Sequence, residues 1–232
     1  DLKFLNIVNI VNNYTIDCRS NHLRTVFGQG YFKVRETINM DLFPFIIGGD
    51  HTISVSTISA CNDYCISNKN KLGVLWCDAH ADFNTIHTSP SGNLHGIPVS
   101  ILCGHTLPVL SFGENLSPEQ FAYFGLRDLD CLEFDRFQDY NMKSFDTETE
   151  IVEWIKNYDK IYVSLDLDVI DPDEFNSINA PVKNGISIKR LHNILEIVKN
   201  SGKLFGMDIV EYNPDKGEDT SVITNIIKHT LT

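Results

Sequence analysis

The chain has 232 residues, 42% of them hydrophobic, with 31 acidic against 19 basic side chains and a formal charge of −12. That length can bury one sizeable core, and no apolar run approaches the ~18 residues that a membrane span needs. A net-acidic chain lacks the basic face that nucleic acid and anionic membranes require, so neither is expected as a partner.

The first apolar run, 43–47, reads as a strand and leads through Gly48-Gly49-Asp50-His51 into a helical stretch at 52–67. A second strand at 72–77 runs into Trp76-Cys77-Asp78-Ala79-His80-Ala81-Asp82, and a helix is predicted at 96–103. Strands at 121–126, 160–167 and 203–209 follow, with helices at 149–157, 187–200 and 220–230 between and after them. Several strands are apolar on consecutive positions, as expected where both faces of a parallel sheet are covered. In the helix at 187–200, Leu191, Ile194, Leu195 and Val198 recur at helical spacing, and Gly202 stands where a C-terminal cap falls. Strands alternating with helices predict an α/β fold with a mainly parallel central sheet. No repeat or linker interrupts the pattern, so residues 1–232 are expected to form a single domain.

Polar residues cluster where strands end: Asp50-His51, Asp78 to Asp82, Asp166-Leu167-Asp168, and Asp208 to Glu211. Ligands of open parallel sheets bind at the carboxyl ends of the strands, so these groups are expected to converge. Asp78, His80 and Asp82 alternate with small residues, and an extended backbone would point all three the same way. The same period-two logic applies to Asp166 and Asp168. The paired glycines 48 and 49 permit a tight turn that presents His51. Four carboxylates gathered in an apolar setting would repel and would be costly to desolvate. Two divalent cations would neutralise them. An oxygen-rich set of four Asp with His51 and His80 suits Mn²⁺ better than a closed Zn²⁺ site. A cation pair bridged by carboxylates would also activate a water between them. Asp50 has a competing use, as the cap of the helix at Thr52.

Gly48-Gly49-Asp50-His51, Asp78-Ala79-His80-Ala81-Asp82 and Ser164-Leu165-Asp166-Leu167-Asp168-Val169-Ile170-Asp171-Pro172 resemble the three motifs of the ureohydrolases, the arginase and agmatinase family. The resemblance implies a three-layer α/β/α fold and two Mn²⁺ per chain. One ion would be held by His51, Asp78, Asp82 and Asp166, the other by Asp78, His80, Asp166 and Asp168. Ser89-Pro90-Ser91-Gly92-Asn93-Leu94-His95-Gly96 is similar to the arginase branch, which implies hydrolysis of L-arginine to L-ornithine and urea. Hydroxyls and amides at Asn84, Ser91 and Asn93 can bond an α-carboxylate, which agmatine lacks; the plain alternative is a polar surface loop. By the same resemblance Asp130 contacts the α-amino group, with Glu133 assisting. Glu211 would orient the guanidinium, His95 would shuttle a proton, and Asp168 would accept one.

The sequence departs from the pattern at Ser177-Ile178-Asn179-Ala180-Pro181, where Ala180 replaces a hydroxyl that often supports the guanidinium glutamate. The family's glycine-rich N-terminal strand region is expected to be missing. Rival readings are an agmatinase or another amidinohydrolase, a non-catalytic regulatory relative, and a zinc deacylase on a related fold. The last would leave His80 and Asp82 without a use. A homotrimer is the family's usual assembly. Cys18, Cys61, Cys65, Cys77, Cys103 and Cys131 are scattered, which predicts buried free thiols in a reducing, cytoplasmic setting. His22, His87, His105, His192 and His229 are assigned to surface or core.

Overall fold

Alternation along the strands builds a sheet with two covered faces. On β2 (Leu72–Cys77), Val74 and Trp76 face one way while Leu75 and Cys77 face the other. On β3 (Phe121–Phe124), Phe121 and Tyr123 oppose Ala122 and Phe124. This is the period-two geometry of a pleated strand. The computed structural model describes residues 20–217 and 220–231. Its six strands are all parallel, in the order β1-β6-β5-β2-β3-β4, with β1 at Phe45–Ile47, β4 at Lys143–Phe145, β5 at Lys160–Asp166 and β6 at Leu204–Val210.

The Trp76 face packs against α1 (Ser20–Asn39), α2 (Ser54–Ser67), α3 (Pro98–Leu102) and α4 (Cys131–Asp139). The Leu75 face packs against α5 (Glu148–Ile155), α6 (Ile188–Asn200) and α7 (Ser221–Leu231). The fold is three-layer α/β/α, as expected from the sequence. On α6 the buried residues are Leu191, Ile194, Leu195 and Val198, Ser187 caps the first turn, and Gly202 adopts a left-handed φ of 69° beyond the last. Among the described residues, no helix is long and apolar enough to cross a membrane.

Register decides where the chemistry falls. Cys77 pairs with Leu165 and Asp166 with Val210, so Asp78, Asp166 and Glu211 leave adjacent strands at nearly one level. After β2 the chain moves outward to β3, and after β5 it moves the opposite way to β6. The crevice between β2 and β5 is therefore the topological switch point, the place where such sheets bind ligands.

Three predicted details are corrected. β2 ends at Cys77, the segment from Asp78 bends, and Asp82 has a left-handed φ of 51°. Asp78, His80 and Asp82 therefore converge from a folded-back loop and not from an extended strand. After Asp166 the backbone enters the short 3₁₀ helix Leu167–Val169, which turns Asp168 back onto the site. Gly48 does not use a positive φ; a Cβ there would meet Ile53 Cγ2 at 2.7 Å and Val210 Cγ1 at 3.1 Å. Its role is close approach. Cys61, Cys65, Cys77 and Cys103 are buried free thiols as expected, whereas Cys131 is exposed and Cys18 lies outside the described residues.

Candidate metal centre

His51 opens the 3₁₀ helix His51–Ile53, which Asp50 caps by accepting the Thr52 N–H at 3.0 Å. Asp50 therefore serves the helix. The His51 ring stacks on Trp76, with centroids 4.0 Å apart, and the Trp76 indole N–H donates to Asp78 Oδ2 at 2.9 Å. One buried aromatic thus fixes an imidazole and a carboxylate together.

His51 Nδ1 faces Asp78 Oδ2 at 3.0 Å, Asp82 Oδ2 at 3.2 Å and Asp166 Oδ2 at 3.2 Å, yet it is buried with no hydrogen bond of proper geometry. Four ligand atoms at such separations match the edges of a coordination polyhedron. Bonds of about 2.1 Å place neighbouring octahedral ligands about 3 Å apart. A second group follows: His80 Nδ1 lies 2.8 Å from Asp168 Oδ2 and 3.5 Å from Asp78 Oδ1. Asp78 turns one oxygen to each histidine, and two sets, His51 with Asp78 and Asp166 and His80 with Asp78 and Asp168, have ligand atoms close enough to hold a cation, with Asp82 Oδ2 also facing His51. The residues present therefore fit divalent metal.

Charge gives the same answer. Burial, then the neighbouring Asp78 charge, pushes the Asp82 carboxyl up to about 7 and that of Asp168 to about 6. Burial with the charges of Asp168 and Asp78 raises Asp166 well above the carboxylate range. Asp78 moves the other way: the facing imidazoles of His51 and His80 overcome burial and hold it low. Burial opposes protonation of both imidazoles, but their carboxylate partners prevail, raising His51 well above its ordinary value and His80 to about 12. Without cations, protons must take their place.

The far nitrogens of both imidazoles are also engaged. His51 Nε2 meets Ser164 Oγ at 2.9 Å, and Ser164 donates to Asp208 Oδ1 at 2.8 Å. Asp208 is fully buried and also accepts at Oδ2 from Ser54, Tyr162 and Thr57, at 2.9, 2.9 and 3.2 Å. His80 Nε2 lies 3.5 Å from Asp128 Oδ2. Such outer partners orient metal-binding imidazoles. Ser164 and Asp128 were given no role from the sequence, and Asp208 was read only as one of the strand-end polar groups; buried polar residues inside apolar strands are the signal that marks Ser164 and Asp208.

Glu211 has a left-handed φ of 66°, is anchored through its N–H to Gly49 O at 2.8 Å, and accepts the His51 N–H at Oε1 at 3.0 Å. Burial, then Asp166, raises its carboxyl to about 8. Ala180 is exposed, and the segment before it is tied to Glu211's neighbours instead: Asn213 donates to Asn179 Oδ1 at 2.6 Å. Arg127 braces the far side, with guanidinium bonds to the carbonyls of Asp168, Val182, Gly125, Lys183 and Val169.

The predicted substrate residues divide. Asp130 caps α4, accepting the Glu133 N–H at 3.0 Å, and takes the Asn84 amide at 2.8 Å; Asn84 Oδ1 is buried without a partner. Glu133, expected to assist Asp130, is buried, and its Oε1 accepts the N–H groups of Phe83 and Asn84 at 2.8 and 3.2 Å. Ser91, exposed, accepts the Asn93 N–H at 3.2 Å, so these two order a loop turn. His95 stands exposed on the short helix Leu94–Gly96, which packs against His51–Ile53.

A model of the arginase family matches residues 2–231. An arginase of Staphylococcus aureus strain COL is 37% identical over 198 residues, 78% of this chain and 64% of its own length. The arginase of Saccharomyces cerevisiae is 34% identical over 219 residues, 85% of this chain and 65% of its own length. The chain thus matches just under two thirds of these curated relatives. Among solved structures, an Entamoeba histolytica arginase in complex with L-ornithine superposes with a TM-score of 0.86 at 28% identity, covering 95% of this chain and 80% of that one.

Proposed function

The chain belongs to the arginase family, and from that premise we propose that it is a binuclear manganese hydrolase that splits L-arginine into L-ornithine and urea. The observation that carries this reading is the shared carboxylate of Asp78, with Oδ2 toward His51 and Oδ1 toward His80, which sets two cation sites side by side. Four carboxylates with one imidazole per site favour Mn²⁺ over Zn²⁺. When bound, the cation pair supplies Lewis acidity, lowering the pKa of a water molecule and stabilising negative charge as it develops.

The remaining tasks belong to the protein. Glu211, with its backbone held by Gly49 and its carboxylate by the His51 N–H, orients the planar guanidinium by a charge-assisted pairing. Asp168, its carboxyl raised to about 6 by burial and by Asp78, takes the proton released as water adds to the guanidino carbon. His95, whose pKa is lowered first by desolvation, carries a proton to the leaving amine. Asn84, Asp130, Ser91 and Asn93 supply the polar rim for the α-carboxylate and α-amino groups.

One contact favours a second reading, an agmatinase. The Asn84 amide N–H donates to Asp130, which occupies a donor assigned to the α-carboxylate, the group that agmatine lacks. Urea release from arginine and agmatine at equal concentration, with and without Mn²⁺, separates the two. Manganese-dependent release with arginine preferred supports the proposal. Preference for agmatine overturns it, and manganese binding without release from either identifies a non-catalytic relative.

A further inference from the structure

Asp82 presents its carboxylate to His51 Nδ1 from a backbone with φ of 51°, a conformation that disfavours any residue with a Cβ. Something outside the loop must hold it. The Asp82 carbonyl accepts the Val99 N–H at 3.1 Å. The next residue is gripped from α4: Glu133 Oε1 accepts the Phe83 N–H at 2.8 Å, and Arg136 Nε donates to Phe83 O at 3.0 Å. Glu133 and Arg136 are three residues apart and so lie on one helical face. The Arg136 guanidinium also covers the Phe83 ring at 4.8 Å from its centroid, while Nη2 reaches Ser100 Oγ at 3.4 Å. Ser100 in turn donates to the same Phe83 carbonyl at 2.6 Å. Arg136 therefore holds Phe83 by its backbone and its ring together.

We propose that Arg136 is a positioning residue for Asp82, clamping Phe83, the residue after it, so that the Asp82 carboxylate stays in the group around His51. The inference rests on the metal-centre reading and extends it to a side chain that touches no ligand atom. Without the clamp the Asp82 segment can relax toward right-handed backbone and withdraw one ligand. The His80–Asp168 group, anchored through Ala79 N–H to Asp168 Oδ1 at 2.9 Å, keeps its geometry. The loss should thus fall on one cation of the pair.

The test is a calorimetric Mn²⁺ titration of the whole chain as wild type, Arg136→Met and Arg136→Lys, with thermal melts alongside. Methionine should weaken one of the two binding events about 10- to 100-fold, the range for outer-shell changes at metal sites, and leave the other within about threefold. Lysine keeps a charge over the ring and a donor for Phe83 O, so it should recover most of that loss. Two wild-type affinities in Arg136→Met would overturn the proposal. So would equal weakening of both events without rescue by lysine, which marks a general structural role, and so would a wild type that binds no Mn²⁺. The readout needs no arginine: a wild type that binds two ions but releases no urea would defeat the proposed reaction and leave this inference standing.

Discussion

Asp208→Asn would reverse the hydrogen-bond chain behind His51. In the native chain Ser164 gives its single proton to Asp208 Oδ1 at 2.8 Å, so Ser164 Oγ must accept from His51 Nε2 at 2.9 Å. When a cation displaces the other ring proton, that leaves the Nδ1 lone pair facing it, beside Asp78, Asp82 and Asp166. An asparagine amide has two placements. Toward Ser54, Thr57 and Tyr162 its NH₂ would confront three hydroxyls, and toward Ser164 only one. In the second, Ser164 accepts from the amide and donates to His51 Nε2, and the ring proton moves to Nδ1. The ligand atom is then blocked. Outer-shell losses at metal sites run about 10- to 100-fold in affinity, which is about 1.4–2.8 kcal/mol. The rearranged buried network should cost the fold a further 1–3 kcal/mol or so. Manganese titration by calorimetry reads the first effect and chemical denaturation the second. Manganese binding within about twofold of wild type would show that Asp208 does not set the His51 tautomer.

The metal-free protein should lose thermal stability as pH rises from about 5 to about 8. Asp82 and Asp168, raised to about 7 and about 6 by burial and Asp78, hold protons in the folded state that the unfolded chain has released. Each therefore subtracts stability as pH climbs from its unfolded to its folded pKa. His80, raised to about 12 as its carboxylates outweigh burial, stabilises fully below its unfolded pKa and loses that contribution above it. Asp78 is held low and adds no slope in this window. Melting temperatures of stripped protein that stay flat or rise would contradict this, and Mn²⁺ loading should remove most of the slope. His95→Asn should lower kcat for urea release about 10²- to 10⁴-fold with manganese content unchanged; an unaltered kcat removes His95 from the reaction. Gly125→Ala combines a φ of 89° with a Cβ only 2.4 Å from Val169 Cγ2, and should cost about 2–4 kcal/mol in chemical denaturation. A change below about 0.5 kcal/mol would show that Val169 yields freely.

The metal centre was legible because its ligands sit in short runs at strand ends, and parallel-sheet topology gathers strand ends. What the motifs could not convey was backbone direction. Asp82 and Asp168 reach the site through a left-handed residue and a 3₁₀ turn, where period-two reasoning expected extension. Asp130 and Glu133 also carry the spacing of an N-terminal cap, and α4 begins there. That helix was missed because its charged residues obscure the apolar stripe. No element was expected over α1, which contains Gly28 and Gly30; a Cβ on Gly30 would meet Ser56 Oγ at 2.8 Å, so its absence permits close packing of α1 on α2. β4 is a three-residue edge strand, too short for any periodicity to show.

A count of bound cations decides whether the gathered carboxylates and imidazoles hold a metal pair. Chain saturated with Mn²⁺ and freed of excess should retain two ions per chain, with an electron paramagnetic resonance spectrum of an exchange-coupled pair roughly 3.5–4 Å apart. One ion or fewer per chain, or two ions that are magnetically isolated, would contradict the account.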